Sequence, residues 1–68
     1  MIPRCIGCDK TPDEISEYAE MAVLEDTTPT EFVENEEGTY NPENGHFACT
    51  ICYLKMGCPS SPEGWVAP

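Results

Sequence analysis

Cys5-Ile6-Gly7-Cys8 and Cys49-Thr50-Ile51-Cys52 place two Cys-x-x-Cys pairs near the two ends of a 68-residue chain. Thiolates delivered in two pairs suit a tetrahedral ion that takes soft sulfur ligands, and zinc is the usual occupant. A single such pair also serves redox dithiols. Two in so short a chain predict one structural Zn2+ held by Cys5, Cys8, Cys49 and Cys52. A zinc with four sulfur ligands has no position left for water or substrate, so the expected role of the ion is to hold the fold.

The pairs sit in different surroundings. Gly7 and the short polar Asp9-Lys10 that follows Cys8 predict a zinc knuckle over residues 1–10, a tight turn whose N–H groups point at sulfur. Cys52 is followed by Tyr53-Leu54-Lys55, residues that form helix. The second pair is therefore expected in the first turn of a helix, where the positive end of the dipole favours thiolate.

The elements between them carry their own signals. Thr11-Pro12-Asp13-Glu14 and Thr28-Pro29-Thr30-Glu31 both read Thr-Pro-x-Glu. In such a start Thr caps, Pro occupies the first helical position and Glu reaches back to the cap. The spacing of Ile15, Tyr18, Ala19 and Ala22 predicts a helix over 12–25, with Met21, Val23 and Leu24 widening its apolar side. The second start predicts a helix over 29–36, and together they form a helical insert over 11–37. Asn41-Pro42 and Asn44-Gly45 are turn signals between Thr39-Tyr40 and His46-Phe47-Ala48, which predicts a β-hairpin. A helix from Thr50 to Met56 ends at Gly57 and Pro59, completing a hairpin-and-helix unit over 38–57. The tail over 58–68 is rich in Pro and Ser, and Trp65 is expected to dock it on the domain. Cys58 is expected as a small packed thiol, buried or half-buried.

At this point the chain resembles the treble-clef zinc fingers, which combine knuckle, hairpin and helix. The likeness covers residues 5–8 and 38–57, and Cys5, Cys8, Cys49 and Cys52 match the four ligand positions. It implies a small metal-stabilised α+β domain with a two-helix insert, one domain over 1–68. The chain is also similar to small zinc-binding proteins of bacterial viruses, being short, acidic and closed by Pro-Ser-Ser-Pro-Glu-Gly-Trp.

Charge and composition narrow the function. Thirteen acidic residues oppose three basic ones, for a net charge of −10. Nucleic-acid binding needs Lys and Arg to displace counterions, so a DNA- or RNA-binding finger is disfavoured. The three bases Arg4, Lys10 and Lys55 all stand close in sequence to cysteines, where cations would offset a thiolate cluster. His46 is the single histidine, which makes no catalytic constellation of the HNH-nuclease kind. No enzyme activity is expected. The absence of an apolar opening segment and of a membrane-length run, with an odd number of cysteines, predicts a reducing cytoplasmic location. The leading expectation is a protein-interaction module whose acidic face selects a basic partner. A rubredoxin-like iron electron carrier is the alternative from another class, although Tyr53 stands where that knuckle would have its glycine. A nucleic-acid-binding zinc finger is a third.

Overall fold

A computed structural model describes residues 2–59 and 64–68. The element order is β1 (Arg4–Cys5), a short 3-10 turn (Pro12–Glu14), α1 (Ser16–Leu24), α2 (Pro29–Glu36), β2 (His46–Phe47) and α3 (Thr50–Lys55). This is a small α+β fold.

The two Thr-Pro-x-Glu starts fold differently. At the first, Glu14 Oε1 accepts from the Thr11 N–H at 3.0 Å and from its hydroxyl at 3.1 Å. That turn does not run on into α1. Ile15 is extended (φ −111, ψ 109), and the α-helix begins only at Ser16. The predicted helix over 12–25 is thus two pieces, and the break lets the Ile15 side chain pack against the core. At the second start the Thr28 hydroxyl accepts from the Glu31 N–H at 3.1 Å, capping a helix with the expected bounds.

Tyr18, Val33 and Phe47 are the large side chains of the core, and Cys5, Cys49 and Cys52 belong to the same cluster. The Tyr18 ring meets Phe47 edge-on at 5.6 Å, while its hydroxyl donates to Glu37 Oε2 at 2.5 Å. That bond gives a buried phenol its partner, as an apolar interior requires. Val23 and Leu24 do not widen the buried side of α1. They are 78% and 79% exposed, because the inward stripe is Ile15, Tyr18 and Ala22 and the chain turns away at Asp26 with φ 55.

The expected hairpin is reduced to one antiparallel bridge, Asn41 to His46. Its sequence signals were turn signals, and the turn forms: Gly45 takes φ 76 and its N–H donates to Asn41 O at 2.8 Å. The arms do not extend because their hydrogen bonds go elsewhere. β2 pairs in parallel with β1, Arg4 opposite His46 and Cys5 opposite Phe47. Thr39 reaches Ala48 through its side chain, the hydroxyl accepting from the Ala48 N–H at 3.0 Å. Its carbonyl accepts from the Ala67 N–H at 2.9 Å.

That last bond is part of how the end of the described chain docks. Ala67 is fully buried, and its carbonyl accepts from Asn41 Nδ2 at 2.9 Å. Trp65 lies against Tyr53 with ring centroids 5.8 Å apart. His46 Nδ1 is 2.6 Å from the Pro68 backbone oxygen, so the single histidine has a positional role. The Ser60–Glu63 part of the Pro- and Ser-rich segment lies outside the described residues. Cys58 differs from expectation: it is exposed, held in a left-handed turn (φ 54) just after Gly57 (φ 85) at the end of α3.

Candidate metal centre

The knuckle forms around Cys5. Its N–H donates to Lys10 O at 2.9 Å and its carbonyl accepts from the Asp9 N–H at 2.9 Å, closing the turn that carries Cys8. Asp9 takes the left-handed conformation (φ 62) after the second cysteine, a position where Asp is tolerated better than most residues. On the other side, Cys49 caps α3 and Cys52 lies in its first turn. The Thr50 hydroxyl donates to Glu17 Oε2 at 2.8 Å, tying the start of α3 to α1. Parallel pairing of β1 with β2 then brings the two cysteine pairs together.

All four predicted sulfurs meet. The Sγ atoms of Cys5, Cys8, Cys49 and Cys52 lie within 4.8 Å of one another, and Cys8 Sγ is 4.0 Å from Cys49 Sγ. A disulfide requires roughly 2 Å. A tetrahedral zinc with bonds of about 2.3 Å holds its sulfurs about 3.8 Å apart, so the cluster fits such an ion. The donor set points the same way, being all soft sulfur.

Gly7 allows the approach. A β-carbon at this position would stand 2.6 Å from both Cβ and Sγ of Cys52. The sequence showed a glycine between the first two cysteines but not what it would face. Nor did it reveal which sulfur the backbone serves. Cys5 Sγ accepts from the N–H groups of Gly7 and Cys49, each at 3.4 Å.

These surroundings divide the thiols. Burial opposes ionisation of Cys5, but the N–H groups of Cys49, Cys8 and Gly7 more than offset it and lower its pKa to about 7. Burial pushes Cys49 up. Burial, then the adjoining sulfurs of Cys49, Cys5 and Cys8, push Cys52 up to about 12. At neutral pH the metal-free site thus holds protons on Cys49 and Cys52 that a metal must displace. Zinc uptake should release protons, and affinity should fall as pH is lowered. The fall should steepen below about 7, where Cys5 also becomes protonated. Calorimetric titration in buffers of differing ionisation enthalpy measures the proton release directly.

The bases do not all face the sulfurs. Arg4 is turned to Asp9, its Nη1 donating to the carbonyl at 2.8 Å and lying 3.6 Å from the carboxylate. Lys10 and Lys55 do line a cavity of about 310 Å3 beside the cluster, together with Cys8, Cys49, Cys52 and Ile51. Spacing alone did not reveal this cavity, since Ile15 and Ser16 reach its wall only because the chain breaks between the 3-10 turn and α1.

No protein-family model matches the chain, and neither does any curated protein or solved structure. The four-sulfur cluster therefore stands on its own geometry. Among the described residues, no helix is long and apolar enough to cross a membrane.

Proposed function

We propose that Cys5, Cys8, Cys49 and Cys52 bind one structural zinc ion in a treble-clef-like domain that acts as a non-catalytic, cytoplasmic protein-interaction module. The observation that carries the metal reading is the convergence of four sulfurs from both ends of the chain within 4.8 Å. A turn bearing Cys5 and Cys8, opposed to a helix start bearing Cys49 and Cys52, supports the treble-clef assignment. Four thiolates would close the coordination sphere, leaving an ion that stabilises and does not catalyse.

The interaction reading rests on charge. Asp13, Glu17, Glu20, Glu25, Asp26, Glu31, Glu34 and Glu36 are all exposed. Glu37, by contrast, is half-buried and bonded to Tyr18. An acidic surface of this kind favours a partner with a basic surface, attracted at long range and screened by salt. It disfavours nucleic acid.

Metal content and partner are tested separately. Native mass spectrometry should find about one zinc per chain in a colourless protein, whereas a red protein with iron charge-transfer bands would support the electron-carrier alternative. For the partner, Glu20→Lys with Glu34→Lys should slow association by about tenfold at low salt while leaving the fold intact. Glu17 is unsuitable for such a test, because it anchors Thr50 at the start of α3. Stopped-flow association with a captured basic partner gives the rate. A rate that ignores both the reversal and the salt concentration would sink the acidic-face proposal.

A further inference from the structure

The four sulfurs are unequal in a way that structural zinc binding does not require. Cys5, Cys49 and Cys52 are buried, while Cys8 is exposed. Cys5 Sγ accepts from backbone N–H groups. Among the described residues no backbone N–H donates to Cys8 Sγ, which lies 4.0 Å from Cys49 Sγ. Hydrogen bonds to a thiolate draw charge from it, and burial excludes reagents, so nucleophilic reactivity concentrates on the sulfur that lacks both. Cys8 and Cys49 also line the 310 Å3 cavity, and Lys10 and Lys55 share its wall.

We infer that Cys8 is a peroxide-reactive site and that Cys49 resolves it, so that oxidation opens the metal centre. This rests on the zinc reading above. The Cys8 thiolate attacks one oxygen of hydrogen peroxide, the O–O bond breaks, and hydroxide leaves and takes a proton to become water. Cys8 is then a sulfenic acid. The Cys49 thiolate attacks the Cys8 sulfur, the S–O bond breaks, and a second hydroxide departs as water. An S–S bond has formed, the two sulfurs have lost two electrons and the peroxide has gained them. Cys5 and Cys52 remain, too few to retain the ion. Lys10 and Lys55 line the same cavity, and their positive charge would favour departure of the anionic leaving group.

The test uses the zinc-loaded full chain carrying Cys58→Ser, which removes the other exposed thiol. Zinc content is measured first, and its absence would defeat the structural-zinc reading and this inference with it. Hydrogen peroxide is then added, with a zinc-sensitive dye following release and peptide mapping locating the disulfide. The expected result is zinc release in step with a Cys8–Cys49 disulfide, reversed by dithiothreitol and fresh zinc. Lys10→Gln with Lys55→Gln should slow release several-fold at unchanged zinc content. Retention of zinc by a chain whose zinc content was normal would overturn the inference alone, as would a disulfide between any other pair. Release at the unmodified rate from the double lysine variant would remove the lysines from the mechanism.

Discussion

Stripping the metal from this chain should unfold it. Structural zinc in small fingers contributes on the order of 10 kcal/mol, which equals the whole stability of an ordinary domain. Here the coupling is unusually direct, because Cys5, Cys49 and Cys52 are members of the same buried cluster as Tyr18, Val33 and Phe47. Without the ion, that cluster contains thiols whose protonation states disagree, with Cys5 lowered to about 7 beside Cys52 pushed up to about 12. Chelation, or Cys49→Ser, should therefore erase the β1–β2 pairing and α3 together. The segment from Ser16 to Glu36 keeps local helix signals and should retain part of its helicity. Amide proton–nitrogen spectra with and without chelator make the comparison. Native dispersion in the metal-free chain would show that the apolar core suffices by itself.

A single added methyl group should weaken metal binding measurably without abolishing it. In Gly7→Ala the new β-carbon would stand 2.6 Å from Cβ and Sγ of Cys52. Neither atom belongs to the far end of a flexible side chain. Both sit in the first turn of α3, so relief requires moving Cys52 or the turn that carries Cys5 and Cys8. Overpacking of this kind costs about 1–3 kcal/mol, equivalent to a loss of roughly 5- to 150-fold in zinc affinity. Gly38→Ala is the matched control, since nothing lies within 4 Å of its added carbon. Competition with a chromophoric chelator ranks the two variants. Equal affinities would mean that the knuckle shifts freely and that Gly7 has no special place.

How much of this was legible beforehand differs between site and fold. The cysteine pairs announce themselves because metal chemistry dictates both residue type and spacing. Helix starts at Thr28-Pro29 and the stop at Gly57 were equally readable, since capping is local and each signal sits in adjacent residues. The parallel pairing of Arg4–Cys5 with His46–Phe47 was not, because two-residue strands leave no periodicity. The Asn and Gly residues that suggested a hairpin specify only its turn, and what the arms pair with depends on distant partners such as Ile6 and Ala67. Likewise, α1 repeats apolar residues on more sides than it buries. Only the position of α2 and β2 decides that Tyr18 goes inward and Leu24 outward.

The parallel pairing has a consequence for the life of the polypeptide before it is finished. The Cys49 N–H that donates to Cys5 Sγ is separated from it by 44 positions. Closing a loop of that length costs about 3 kcal/mol of chain entropy beyond the fixed cost of closure, with little reward until both cysteine pairs are present. A ribosome must therefore expose most of the chain before the knuckle finds its counterpart, while the pieces between can already turn into helix. Assembly would run from the middle outward, with metal capture as the committing event. Chains halted before Cys52 would lack the full set of four sulfurs and remain open substrates for proteolysis.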